Sequence, residues 1–265
     1  MLTYEALIEE AKLRGMPPTK MRGILREYLQ ILILKEIYKI RNSRKLLFTG
    51  GSFLRLIHSL KRFSEDLKFN TSALGKEEFE EIIACVSKGL EREGIRNEVK
   101  FSHREKMLIA KVGFPEIEKQ YGVISKFSRK EGIIIKIEAS VREYPFSLET
   151  SVISGFGMFF PCVCTFRGIL FADKIDAFVK KRRGRDIYDV MFMLSRKFPI
   201  DRKFLSYLGI MGDPLEVLKE EAGKISVEEL EPQAEILKPF LFDEEEAEMV
   251  KRAYEIIPLL VERYY

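Results

Sequence analysis

Two adjacent glycines and a serine, followed further along by an acidic residue, form the part of this sequence with the clearest capacity for chemistry. They lie in the stretch Thr49 to Asn70, which reads TGGSFLRLIHSLKRFSEDLKFN. Gly50 and Gly51 allow the backbone to come close to an anion, and Ser52 can offer its hydroxyl group. A carboxylate at Asp66 could then hold Mg²⁺ against the bound phosphate. Because Gly-Gly-Ser is also a common turn, the prediction of a phosphate site depends on the elements around it.

Short elements are predicted to hold these residues in place. Lys45 to Thr49 has the pattern of a short buried strand, and Phe53 to Ser59 has that of a helix. The free N–H groups and the positive dipole end of such a helix favour an anion beside the glycines. Asp66 to Phe69 has the pattern of a second strand, which ends at Asn70. The order strand, glycines, helix and acidic strand therefore predicts a phosphate-handling site.

The remaining patterns predict an α+β body followed by a helical C-terminal portion that begins near residue 197. Apolar residues at helical spacing predict helices at Tyr4 to Leu13, Thr19 to Ile40 and Gly75 to Glu93. The strand-like runs that follow are Ile95 to Phe101, Met107 to Val112, Ile133 to Val141 and Phe159 to Phe166. Further helices are predicted at Ile169 to Lys181 and Asp186 to Ser195.

The composition predicts a folded globular chain with an uneven charge distribution. Hydrophobic residues make up 46% of the chain and charged residues 32%, which argues against disorder. Residues 213–265 carry a net charge of −9, whereas residues 1–212 carry +13. A basic body suits a polyanionic partner. The alternative is that the two regions present solvated faces of opposite sign.

The sequence predicts neither a zinc site nor a membrane segment. Cys162 and Cys164 alternate along a predicted strand and are interpreted as buried thiols, and with Cys85 and two histidines they lack the usual zinc spacing. The acidic, amphipathic start does not resemble a signal peptide. No run approaches the ~18 apolar residues needed to span a bilayer. We therefore expect a cytoplasmic protein with no membrane partner.

The motifs of the body resemble those of a known family. GGSFLRL followed by RFSEDLKF resembles the first motif of the AbiEii/AbiGii toxin nucleotidyltransferases, in the DNA polymerase β-like superfamily, where the pattern is close to GGTALRL and RFSEDLDF. Lys136-Ile-Glu138 resembles the strand that supplies a third acidic residue. Lys174, in ADKIDAF, resembles the helical lysine of the third motif, and Arg185 to Asp189 resembles the GRDxYD motif.

The resemblance implies a fold, an activity and a set of partners. The fold is a polymerase β-like mixed sheet flanked by helices, with a nucleotidyltransferase domain over residues 1–196 and a helical domain over residues 197–265. The activity is transfer of a nucleotide from an NTP to an RNA acceptor, with tRNA as the expected acceptor. The expected cofactor is Mg²⁺ or Mn²⁺, and the expected protein partner is a winged-helix antitoxin.

The resemblance also assigns roles to residues. The implied catalytic residues are Asp66, Lys174 and Asp189. The implied nucleotide-binding residues are Gly50, Gly51, Ser52, Lys68, Arg185 and Asp186. The implied metal ligands are Asp66 and Glu138. For Glu138, the residues alone leave open whether it faces a cleft as a functional acid or pairs with Lys136 or Arg142 along its strand.

Lys68 departs from the family pattern, which has an acidic residue at this position. Two carboxylates at alternate positions of a strand face the same side and can share metal ions, whereas a lysine repels them. Lys68 could replace one cation as a fixed positive charge, or it could mark a site that binds nucleotide without turnover. The preceding acid, Glu65, should face the other way. A catalytically degenerate protein that binds nucleotide, RNA or a protein partner is therefore the alternative hypothesis.

The strongest basic cluster precedes the GRDxYD motif. Its residues are Lys180, Lys181, Arg182 and Arg183, followed by Gly184 and Arg185. Cations at a helix C-terminus compensate the helix dipole, and Gly184 is a typical stop. Five positive charges in six residues exceed that need. The cluster therefore predicts contact with an RNA backbone.

Overall fold

A seven-stranded mixed sheet organises the first part of the chain. The structure, a computed structural model, describes residues 1–123 and 132–264. The strands are β1 (Leu47–Thr49), β2 (Leu67–Thr71), β3 (Glu98–Phe101), β4 (Met107–Phe114), β5 (Ile133–Val141), β6 (Leu148–Gly155) and β7 (Met158–Thr165). They lie in the order β3-β4-β5-β2-β1-β7-β6, with the β2–β5 and β1–β7 pairs parallel and the others antiparallel. The predicted α+β fold with a mixed sheet is confirmed.

Helices accompany this sheet in a compact unit that spans Met1–Thr165. They are α1 (Tyr4–Leu13), α2 (Met21–Lys39), α3 (Gly50–His58), α4 (Lys76–Arg92) and α5 (Ile117–Gln120). Helix α2 packs against α4 and against β5 and β7. Most of its residues are buried as a result, including both faces of its middle turns. A helix covered on more than one side does not need a polar stripe, which explains its continuous apolar run.

The predicted elements of this unit are confirmed, with shifts at several ends. Helix α1 and strand β5 have the predicted bounds. Helix α3 begins at Gly50 rather than Phe53, so that Gly-Gly-Ser forms its first turn. The sequence patterns do not predict β6, an edge strand that pairs with β7 through a tight turn. That turn has positive φ at both Phe156 (53°) and Gly157 (71°), and Phe156 is an unusual residue for this conformation.

A second compact unit, Phe166–Tyr265, contains the predicted helical C-terminal portion. Its helices are α6 (Arg167–Lys181), α7 (Gly184–Ser195), α8 (Arg202–Tyr207), α9 (Pro214–Gly223), α10 (Val227–Leu237), α11 (Ala247–Lys251) and α12 (Ala253–Glu262). Two begin with strong local signals, since Asp213 caps α9 ahead of a proline and Ser226 starts α10 with a capping box. The compact units divide at residues 165 and 166. The functional boundary at residues 196 and 197 stays a prediction, because compactness and function are different criteria.

Two further expectations concern the cysteines and the longest helices. Cys162 and Cys164 are buried on β7, which confirms their interpretation as buried thiols, and Cys85 is exposed on α4. Within residues 1–123 and 132–264, no helix combines the length and the apolar character that a membrane crossing requires.

Candidate functional site

The junction of β1 and α3 carries the glycines that predict a phosphate site. Gly50 has a φ of +83°, a conformation that favours glycine, and it begins α3. Thr49 directly precedes it, and its side chain does not cap the helix. The Thr49 hydroxyl is buried and has no hydrogen-bond partner among the described residues. The first turn of α3 therefore combines free backbone N–H groups with a buried, unsatisfied hydroxyl group beside them.

Ser52 connects this turn to the acidic strand. Its side chain is buried, and its hydroxyl donates a hydrogen bond to the backbone carbonyl of Asp66. The hydroxyl thus fixes the start of β2 relative to α3. A role of Ser52 in cradling a triphosphate stays a prediction, and its backbone N–H in the first turn is the group best suited to that role.

Arg62 lies against the second glycine and is a residue that the sequence patterns do not single out. A Cβ atom added at Gly51 would lie 2.7 Å from a terminal nitrogen of the Arg62 guanidinium and 3.0 Å from Oγ of Ser64. Arg62 is buried and donates to the carbonyl of Phe63. The close approach explains why glycine is needed at position 51. It also places a positive charge beside the first turn of α3.

Four charged side chains meet where β2 lies beside β5, and we call them the four-charge cluster: Asp66, Lys68, Lys136 and Glu138. The two strands are parallel, and Lys68 is in register with Glu138. Nζ of Lys136 lies 3.0 Å from Oε1 of Glu138 and 3.5 Å from Oδ2 of Asp66. Nζ of Lys68 lies 3.6 Å from Oε2 of Glu138. The structure therefore brings Asp66, Lys68 and Glu138 together, with Lys136 between the two acids.

These contacts decide the pairing of the neighbouring acids. Glu138 contacts both Lys136 and Lys68. Of the two residues of its own strand region that could pair with it, Lys136 and Arg142, the observed ion pair is with Lys136. Glu65 contacts Arg26 of α2, with 3.6 Å between the charged atoms. Arg26 is also within electrostatic range of Asp66, so the prediction that Glu65 faces the other way stays a prediction. Lys136 could be recognised in the sequence only as a residue alternating with Glu138.

Burial and charge act differently on the two acids of the cluster. Burial raises the pKa of the Asp66 carboxyl above its ordinary value, against the opposing charge of Lys136. Burial also acts to raise the pKa of Glu138, but the hydrogen bond from Lys136 and the charge of Lys68 outweigh it and lower that pKa. The pKa of Lys136 is raised, because its contacts with Glu138 and Asp66 outweigh the effect of burial. The fold thus penalises the Asp66 charge and favours that of Glu138.

The oxygen ligands of the cluster are too few for a pair of divalent cations, and Lys136 lies between the two acids that could share one ion. Mg²⁺ and Mn²⁺ prefer oxygen ligands, and two ions held close together need several carboxylates. The cluster has two carboxylates and two ammonium groups. Among the residues that the structure describes, no group of three or more acidic, histidine or cysteine side chains is arranged to hold a metal ion. Asp66 and Glu138 could share one ion only if Lys136 moved away from them.

Lys174 and Asp189 form an ion pair inside the second compact unit. Nζ of Lys174 lies 2.6 Å from Oδ2 of Asp189, and the Asp189 side chain has no exposed surface. The pair connects α6 to α7, which pack against each other. Their predicted roles, a phosphate contact for Lys174 and completion of the site for Asp189, stay predictions. The observed role is to neutralise a buried charge between two helices.

The other residues of the GRDxYD motif also make contacts within this unit. A Cβ atom at Gly184 would lie 2.2 Å from the backbone carbonyl oxygen of Gln233 in α10, so only glycine fits there. Asp186 is buried and accepts two hydrogen bonds from Arg183. The Tyr188 hydroxyl donates to Glu246, and the Tyr188 side chain is buried. Arg185 lies half-buried in the first turn of α7.

The basic cluster is largely engaged in ion pairs. Lys180 contacts Asp176, Arg182 contacts Glu221 at 2.7 Å, and Arg183 contacts Asp186 at 2.6 Å. Lys180 and Lys181 are the exposed members, whereas the two arginines are half-buried. Residues 179–182 and part of α10 line a groove of about 490 Å³. The two lysines are therefore the members best placed to meet an RNA phosphate.

We expect opposite effects on stability from neutralising the two acids of the four-charge cluster. At neutral pH, Asp66→Asn should maintain or raise the free energy of unfolding, because an acid whose pKa is raised by folding costs stability above its unfolded pKa. Glu138→Gln should lower it, because an acid with a lowered pKa contributes stability that is lost as the pH falls. Urea unfolding across the acidic range measures both. If the two variants lowered the free energy of unfolding equally, this interpretation of the cluster would be wrong.

Breaking the Lys174–Asp189 pair should destabilise the protein strongly. Lys174→Met removes the ammonium group that lies 2.6 Å from the buried Asp189 carboxylate, and removing one member of a buried ion pair costs about 3–5 kcal/mol. Lys219→Met is the matched control, because Lys219 is exposed on α9, and it should change stability by less than about 0.5 kcal/mol. Denaturant unfolding compares the two, and the double variant Lys174→Met, Asp189→Leu should recover much of the loss. The expectation fails if Lys174→Met is no more destabilising than the control.

Comparison with known proteins connects this architecture to a family. The family model described as nucleotidyl transferase AbiEii toxin, type IV TA system, matches residues 32–254. Comparison with curated proteins gave no match.

Solved structures share the fold over nearly the whole chain. MenT4, a nucleotidyltransferase toxin from Mycobacterium tuberculosis H37Rv, is 16% identical with a TM-score of 0.62, and the match covers 100% of this chain and 93% of that one. JHP933 from Helicobacter pylori is 19% identical with a TM-score of 0.55, covering 91% of this chain and 94% of the other. A putative nucleotidyltransferase from H. pylori is 19% identical with a TM-score of 0.53, covering 92% and 97%. At these identities the likeness shows the fold alone, but the family model covers most of the chain, and the protein therefore belongs to the AbiEii nucleotidyltransferase toxin family.

Proposed function

We propose that this protein transfers a nucleotide from an NTP to an RNA acceptor, with tRNA as the acceptor class, and acts as the toxin of a type IV toxin–antitoxin pair. The observation that carries the proposal lies in the first compact unit. There the first turn of α3 and the acids Asp66 and Glu138 are connected by Lys68, whose side chain packs on Gly50 and reaches Glu138. This arrangement gives one place for phosphates and an adjacent place for positive charge.

The triphosphate would bind at the first turn of α3. The N–H groups of Gly51 and Ser52 belong to the free donors of that turn, and the helix dipole favours an anion there. The Thr49 hydroxyl, buried without a partner among the described residues, would gain one from a phosphate oxygen. Lys68 and the neighbouring Arg62 add positive charge on either side of the glycines. These groups would orient the α-phosphate for attack by an RNA hydroxyl, with pyrophosphate as the leaving group.

We propose that transfer of the nucleotide also requires one divalent cation, Mg²⁺ or Mn²⁺. Asp66 and Glu138 would hold it after Lys136 had moved away from them, and when bound it would stabilise negative charge that develops on the phosphates. Lys174, Arg185, Asp186 and Asp189 keep their proposed roles toward the nucleotide on the strength of the family motif alone. Because NTP and RNA are the proposed substrates, the cytoplasm is the proposed place of action. Since the family belongs to type IV systems, an antitoxin is the proposed protein partner, and we expect a winged-helix protein.

A second candidate function is favoured by Lys68. A lysine at this position leaves the cluster with no net charge and with ligands for one ion rather than two. A catalytically degenerate member of the family would bind nucleotide, RNA or a protein partner at the same groups without transferring the nucleotide.

Labelled nucleotide transfer distinguishes the two candidates. The full chain is incubated with each labelled NTP, total tRNA and Mg²⁺ or Mn²⁺, and we expect label in the RNA. Asp66→Ala should reduce transfer by about 10²-fold or more, because it removes a group that acts on the reacting phosphates. Glu65→Ala is the matched control, since this neighbouring acid contacts Arg26 instead, and it should retain transfer. If the native protein is inactive while Lys68→Asp transfers label, the degenerate alternative is correct.

The exposed lysines of the basic cluster should contribute to RNA binding. Lys180→Ala with Lys181→Ala should weaken tRNA binding and lower the slope of log affinity against log salt by about 0.7–0.9 for each phosphate that the protein no longer neutralises. The control pair Lys203→Ala with Lys219→Ala removes the same charge from exposed positions elsewhere in the same unit. Filter binding over a salt series measures both. A slope that changes equally in the two double variants would refute the predicted RNA contact.

A further inference from the structure

We propose that Lys68 and Lys136 act as built-in cations for a bound triphosphate, so that this site binds triphosphate without a divalent cation. The inference rests on the proposed phosphate site at the first turn of α3. It differs from the proposed function in separating binding, which the protein's own ammonium groups support, from turnover.

The aliphatic part of the Lys68 side chain packs against Gly50, and its ammonium group reaches Glu138. Lys68 is in register with Thr49 at the end of β1, and a Cβ atom at Gly50 would lie 3.1 Å from Cβ and 3.2 Å from Cδ of Lys68. The side chain is 44% exposed, and its Nζ lies 3.6 Å from Glu138. Its ammonium group is thus held by packing along the stem and remains accessible to solvent. The Lys68 side chain therefore spans from Gly50, at the proposed phosphate site, to the carboxylate of Glu138.

Lys136 occupies the place that a cation shared by the two acids would take. Its Nζ lies 3.0 Å from Glu138 and 3.5 Å from Asp66. Two ammonium groups and two carboxylates leave no net charge, so the cluster has no electrostatic need for ions from solution. The Lys136 ammonium group opposes a divalent cation between the two acids, so such an ion could bind there only after Lys136 had moved away.

The surrounding charges add to the same effect. Arg62 lies against Gly51, so that each of the two glycines has a cationic side chain against it. An incoming triphosphate would therefore find two kinds of fixed donor, ammonium or guanidinium groups and backbone N–H groups. None of these donors requires a bound metal ion.

The test measures binding of inorganic triphosphate to the full chain by calorimetry, in EDTA and in excess Mg²⁺. We expect the Kd in EDTA to lie within about threefold of that in Mg²⁺, or below it. Lys68→Met should weaken binding in EDTA by about tenfold or more, because it removes a charge near the phosphates. Lys68→Asp should lose binding in EDTA and retain it in Mg²⁺.

Lys111→Met is the matched control. Lys111 lies directly opposite Lys136 on β4, is exposed, and has no contact with the acids of the cluster among the ion pairs that the structure describes. Lys111→Met removes the same charge from a neighbouring strand, and it should change the Kd for triphosphate by less than about threefold. If Lys68→Met fails to fold, the comparison of EDTA with Mg²⁺ on the native chain still decides.

The inference is overturned if the native chain binds triphosphate only in the presence of Mg²⁺. It is also overturned if Lys68→Met and Lys111→Met weaken triphosphate binding equally. If such a protein nevertheless transfers labelled nucleotide to tRNA, the proposed function stands and only the inference fails. Triphosphate binding in EDTA that depends on Lys68, with no transfer from any NTP, supports the inference and refutes the proposed activity. A native chain that binds no triphosphate in either condition overturns the inference, and the labelled-transfer assay then decides the proposed function.

Discussion

The register between β2 and β5 is the constraint on which the candidate site depends. Side chains alternate along a strand, so the inward residues Leu67 and Phe69 of β2 and their counterparts on β5 pack in the core. The residues between them must then face the other side, where the four-charge cluster forms. A shift of this register by one residue would bury the charged side chains and expose the apolar ones. The cost of exposing the apolar face prevents such a shift. The Ser52 hydrogen bond to the Asp66 carbonyl joins this register to the first turn of α3.

A motif that indicates chemistry can also be needed to build the fold. In the GRDxYD motif, Gly184 allows α7 to approach α10, and Asp189 neutralises Lys174 between two helices. A buried carboxylate with an ion-pair partner is costly to disturb, whether or not it also acts on substrate. Loss of activity after mutation of such a residue therefore does not establish a catalytic role. Asp66 of the four-charge cluster is more informative, since its side chain is partly exposed and the fold penalises its charge.

Local sequence patterns predict an element where its apolar residues recur with a strong period. They do not predict an element or a contact that depends on which strand or helix lies beside it. Strand β5 has its predicted bounds because its sequence pattern is regular, with a buried residue at every second position from Ile133 to Ala139. Strand β6 escapes prediction because it lies at the edge and depends on the turn at Phe156 and Gly157. The contact of Lys136 with Asp66 could not be predicted, because it requires knowing which strand lies beside β5 and in what register. The packing of Arg62 on Gly51 is likewise a tertiary contact between two ends of one motif.

Family membership fixes the sheet, but it does not fix the charge at position 68. The register of β2 with β5 places position 68 beside Glu138, so the side chain at this position sets the charge next to that acid. A third carboxylate would concentrate negative charge on one face, and bound cations would be needed to stabilise it. A lysine supplies that positive charge covalently and is half-exposed, so its own desolvation cost is small. In the proposed phosphate site, position 68 would therefore determine whether the protein or the solution provides the cations.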